Sequence, residues 1–113
     1  MKTKSYNLTQ DTVGEWIEAD DYGHEAESAA IQVSYSDAAG DPLDGELYIE
    51  IALSDTPSRI DTPVMISAAD NTDDAALYQI DTAFRTFRIN YLAGGVSSVN
   101  IRIDYNHKPL RYF

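Results

Sequence analysis

Two segments near the end of the chain alternate cleanly between apolar and polar residues. Phe87, Ile89 and Tyr91 are interleaved with Arg88 and Asn90, and Val99, Ile101 and Ile103 with Asn100, Arg102 and Asp104. A period of two places successive side chains on opposite faces of an extended backbone, so each segment reads as a half-buried β-strand. Between them lies Ala93-Gly94-Gly95, where glycine removes the steric cost of a tight reversal. The stretch Leu77 to Tyr105 is therefore expected to form a β-hairpin.

The same pattern recurs upstream. Thr3 to Leu8 is expected as a first edge strand, with Tyr6 and Leu8 on one side. Val13 to Ala19 follows, and its Trp16 is expected in the core or between sheets because its ring has a large apolar surface. In Ala29 to Tyr35, residues Ile31, Val33 and Tyr35 point one way and Gln32 and Ser34 the other. The most continuous stripe is Leu47, Ile49, Ile51 and Leu53 within Gly45 to Ser54, opposite Glu46, Tyr48, Glu50 and Ala52. Asp55 to Pro63, with two prolines, reads as an irregular connection, and Val64 to Ala68 as a short strand. No helical period extends beyond a turn or two.

About seven or eight strands separated by Gly, Pro and Asp turns indicate an all-β domain, residues 1–113, folded as a two-sheet antiparallel sandwich of the jelly-roll kind. An immunoglobulin-like sandwich is the alternative. The expected core is Trp16, Ile31, Val33, Leu47, Ile49, Ile51, Phe87, Ile89, Tyr91, Val99, Ile101 and Ile103.

Composition narrows the functional classes. The 113 residues are enough to bury a core without staples, and there is no cysteine for a disulfide, a thiolate metal site or a thiol nucleophile. A net charge of −11 speaks against nucleic-acid binding, which needs a concentrated basic patch. No window is apolar enough for a membrane span, and Met1 to Asp11 has no apolar run of the signal-peptide kind, so a protein made and folded in a cytoplasm is expected. The charge is also unevenly placed. Between Ser5 and Ser58 there are acids but no Lys or Arg, whereas Lys2, Lys4, Lys108 and Arg111 lie outside the span that holds the acids. Basic ends on an acidic body suit electrostatic docking onto another copy or another acidic neighbour.

No Ser-His-Asp arrangement, phosphate-binding loop or nucleotide fingerprint is present, so neither an enzyme nor a cofactor is expected. Asp70, Asn71, Asp73 and Asp74 form an oxygen-rich loop that is a candidate for Ca²⁺, although it lacks the glycine and distal glutamate of an EF-hand. Asp41 and Asp44 raise the same question. His24 and His107 are far apart and are not expected to act as a metal pair. Candidate interface residues are Lys2, Lys4, Arg88 and Arg102, together with the tail Leu110, Arg111, Tyr112 and Phe113. Tyr22, Tyr48 and Tyr78 are candidate sugar-stacking rings, which makes a carbohydrate-binding, lectin-like module the rival reading.

Three segments in order carry a resemblance. They are Ala30-Ile-Gln-Val-Ser-Tyr-Ser36, Gly45-Glu-Leu-Tyr-Ile-Glu-Ile-Ala-Leu-Ser-Asp55, and Phe87-Arg-Ile-Asn-Tyr-Leu-Ala-Gly-Gly-Val-Ser-Ser-Val-Asn-Ile-Arg-Ile103. Together they resemble small β-sandwich structural proteins of bacteriophage virions. After Ser54-Asp55 the pattern departs, since Thr56-Pro57-Ser58 stands where the family has a Gly and a Trp. The resemblance implies a non-enzymatic virion component, such as a capsid, vertex or tail-associated protein. Its implied partners are itself, as a homo-oligomer, and other virion proteins.

Overall fold

The computed structural model describes residues 2–20, 24–37, 45–54, 57, 59–67, 75–93 and 99–109. Among them are nine strands and no helix, hence none long and apolar enough to cross a membrane. The strands are β1 (Lys2–Leu8), β2 (Thr12–Val13), β3 (Ile17–Glu18), β4 (Ala26–Asp37), β5 (Gly45–Ala52), β6 (Asp61–Ser67), β7 (Ala75–Ile80), β8 (Thr86–Ala93) and β9 (Val99–Pro109). They form two antiparallel sheets. One has the order β1-β9-β4-β7; the other has the order β2-β8-β5-β6, with β3 also paired to β8.

The pairing follows one rule once β2 and β3 are counted as a single interrupted strand. First pairs with last (β1 with β9), second with second-last (β2 and β3 with β8), third with third-last (β4 with β7), and the middle two with each other (β5 with β6). That is a long hairpin rolled over on itself into two facing sheets, the jelly-roll connectivity. It excludes the immunoglobulin-like alternative.

The same rule overturns the expected hairpin. Strands β8 and β9 do not pair: β8 lies between β5 and β2/β3, and β9 lies between β1 and β4. They face each other across the core instead, where the rings of Phe87 and Tyr105 meet edge to face with centroids 4.8 Å apart. Two alternating strands bury their stripes equally well side by side or face to face, so periodicity cannot tell these arrangements apart. Among the described strands, β5–β6 is the only hairpin of sequence neighbours in the roll.

Eleven of the twelve expected core residues are buried, joined by Ile17, Ala26, Ala29, Val64, Ile66, Ile80, Phe84 and Tyr105. Each large apolar side chain removed from water contributes roughly 1.5–3 kcal/mol before entropy is counted. The exception is Trp16. Val13 to Ala19 is not one strand: its ladder breaks after Val13, and it is Ile17, not Trp16, that enters the core. Leu53, expected on the central stripe, lies past the end of β5 and is 59% exposed. Pro63 lies inside β6 and not in a preceding loop; it is tolerated because β6 is an edge strand whose register shifts between the pairs Ile49–Val64 and Ile51–Asp61. Gly45, with φ of 117°, starts β5 in a conformation that side chains disfavour.

Candidate interaction surfaces

The outer face of the β2-β8-β5-β6 sheet is built by the residues that alternate with the core stripe. Register places Val13 beside Asn90, Asn90 beside Tyr48, and Tyr48 beside Met65, with Leu92 beside Glu46 in the next row. Met65 is 70% exposed and Val13 56%, and Leu92 is also exposed. Exposed apolar side chains therefore share this face with Asn90, Glu46, Glu50 and Arg88, where a fully solvated sheet face would be polar throughout. At its centre Arg88 donates from Nε to Glu50 Oε1 at 2.7 Å, and its guanidinium lies 4.3 Å from the centroid of the Trp16 ring. The pair neutralises both charges, and the half-buried indole covers the guanidinium plane. Tyr48 donates to Glu46, and that hydrogen bond, with burial and the Glu46 charge, holds its phenol above the usual range.

Arg88 thus meets an acid of the Glu46–Glu50 strand within the monomer. Arg102, the other central candidate interface residue, belongs to the other sheet. It pairs along its own strand with Asp104 at 3.1 Å. Thr3 Oγ1 donates to the same carboxylate oxygen at 2.6 Å, which ties β1 to β9. The Thr3 hydrogen bond, followed by Arg102, holds the Asp104 carboxyl below its ordinary value against the opposing effect of burial. Burial, with the nearby Glu15 and Tyr105, pushes the Tyr6 phenol up, and burial alone does so for Tyr78.

The basic ends are partly engaged inside the chain. Lys2 Nζ reaches the carbonyl of Ala19 at 3.5 Å, and Lys108 pairs with Glu27 at 3.1 Å. Lys4 is exposed, opposite Ile103 on the inward side of the edge strand β1. The candidate residues Asp70, Asn71, Asp73 and Asp74, Asp41 and Asp44, Tyr22, and the tail Leu110, Arg111, Tyr112 and Phe113 lie outside the described residues.

The two histidines are nearer than their separation in the chain implies. His107 Nε2 is 3.0 Å from Asp20 Oδ1, and His24 Nδ1 is 3.6 Å from Asp20 Oδ2. Asp20 is buried between them, just after β3. Nothing in the sequence signals this meeting, because it requires β9 to run beside β4 on the sheet facing β3. Among the described residues no group of three acidic or histidine side chains is arranged to hold a metal ion. A cavity of about 310 Å³ lies between the β5–β6 and β7–β8 connections, with buried Ile51 and Phe84 and the exposed pair Arg59–Asp61 in its wall.

Fold and surface define a jelly-roll sandwich in which Val13, Met65, Leu77 and Leu92 are exposed on sheet strands, while Leu53 and Ile60 are exposed in the β5–β6 connection. Compared with known protein families and with curated proteins, the chain matches none.

Proposed function

We propose that this protein is a non-enzymatic structural component of a virion, in a capsid, vertex or tail-associated position, and that it works through contacts between its subunits. The observation that carries the reading is the outer face of the β2-β8-β5-β6 sheet. Val13, Met65 and Leu92 stand exposed there, around an internally neutralised Arg88–Glu50 pair. Apolar side chains gathered on a sheet surface mark a surface that is covered in use. Neutralisation of that pair matters because each copy carries a net charge of −11, and contact is cheapest where that charge is locally reduced; Glu46, bonded by Tyr48, keeps its charge beside Leu92. Jelly rolls recur as capsid building blocks, which supports the virion assignment; they recur equally in lectins, so connectivity alone does not choose.

The test has two arms. Sedimentation of the purified chain should give discrete oligomers, and peptides of the chain should be recovered from gradient-purified virus particles by mass spectrometry. A chain that stays monomeric at every concentration and is missing from particles, but gives a defined glycan-array signal, would establish the lectin-like reading instead.

A further inference from the structure

A jelly roll has four sheet edges, and in this chain three of them are closed to further strands. Strand β1 presents Lys4 on its inward side, a charge that a new neighbouring strand would have to cover. Strand β6 carries Pro63 and a register shift, which interrupt the row of backbone donors. The edge formed by β2 and β3 consists of two pairs of residues separated by Gly14-Glu15-Trp16, too short and broken to template a partner.

Strand β7 has none of these devices. It is six residues long, reads Ala-Ala-Leu-Tyr-Gln-Ile, pairs along its whole length with β4, and among the described strands is the only one of more than two residues without a charged side chain. Among the described residues nothing pairs with its other side. Its Leu77, on the outer face beside Gln32, is 73% exposed, more than any other large hydrophobic residue described.

We infer that the β7 edge is a strand-addition site for a second copy of this chain, with β7 pairing antiparallel to its own copy about a two-fold axis. The inference deepens the proposed assembly role and rests on it. The occupant follows from charge and closure. Two bodies of net charge −11 meet most readily along a strand that carries no charge, and β7 is that strand. A two-fold axis normal to the sheet keeps outer residues on the outer face, so Leu77 packs against the equivalent region of the other copy. The joined sheet then runs β1-β9-β4-β7-β7-β4-β9-β1 and ends in a lysine-guarded edge at both sides. Such an assembly closes as a dimer and does not grow into a fibre.

The absence of cysteine makes the test direct. Wild-type chain should show a concentration-dependent dimer in sedimentation velocity. Leu77→Lys, at a solvent-facing position, should keep the circular dichroism and urea midpoint yet weaken dimerisation at least roughly tenfold, through like charges near the axis and lost apolar contact. Leu77→Cys should oxidise to a cross-linked dimer faster than Asn106→Cys, an exposed control on β9 and so two strands from the axis. If oligomers form but ignore Leu77→Lys, and Leu77→Cys cross-links no faster than the control, the edge inference is overturned and the assembly role stands. If the wild-type chain is monomeric at every concentration, both fall.

Discussion

The facing of β8 and β9 across the core predicts an energetic coupling that the hairpin arrangement forbids. Phe87 and Tyr105 are both buried, with rings 4.8 Å apart at 71°, the edge-to-face geometry that is worth about 0.5–1.5 kcal/mol beyond area burial. A hairpin turning at Gly94-Gly95 would set Phe87 near Arg102 and leave Tyr105 several residues away. We expect Phe87→Leu to cost about 1–2 kcal/mol, since a branched aliphatic replaces most of the ring volume. Tyr105→Leu should cost more, because Tyr105 has further interactions beyond this ring contact. Those further losses cancel in a double-mutant cycle, leaving the ring–ring term alone. Urea unfolding of the four proteins, with unchanged slopes, should return a coupling of about 0.5–1.5 kcal/mol. A coupling below about 0.3 kcal/mol, the error of additivity for distant sites, would refute the facing arrangement.

Three further outcomes follow from named contacts. Glu50→Gln should lower stability by about 1–3 kcal/mol in urea unfolding followed by Trp16 fluorescence, because half-buried Arg88 loses its counter-charge; an unchanged midpoint would show the pair to be idle. Gly45→Ala should cost about 1 kcal/mol or more, since φ of 117° strains any side chain, and a neutral effect would mean that β5 starts in another conformation. Asp104 has a lowered carboxyl pKa, so its contribution to stability is present above the ordinary carboxylate range and is lost as pH falls through the lowered value. Thr3→Ala removes the largest cause of that shift. It should therefore flatten the acid limb of the stability profile, and an acid limb identical to wild type would assign the loss to other carboxylates.

Where the sequence was legible, one element at a time sufficed. Leu47, Ile49 and Ile51 in β5, and Val99, Ile101 and Ile103 in β9, declare a buried face through alternation alone, because the pleat sends successive side chains to opposite sides whatever the neighbouring strand. Trp16 misled because its size argues for burial, whereas the break after Val13 brings Ile17 into phase with the core and leaves the indole to cover Arg88. The surfaces were less legible still. Arg88 was readable as an outward base, but whether an acid waited beside it depended on β5 being the neighbour of β8. The Asp20–His107 contact and the bare β7 edge likewise depend on which strand lies next to which.

By itself, then, the sequence determined most of the strands and their buried faces, with Val13 to Ala19 the main exception, together with the two-sheet class and the acidic, cysteine-free character of the chain. All of these are local consequences of backbone geometry and composition. Only the tertiary structure decided that β8 and β9 face each other instead of pairing, that Arg88 is neutralised within the monomer, and that β7 is the uncharged edge with no second neighbour among the described residues. Those outcomes are set by strand order, and a period of two is the same for a strand in either sheet.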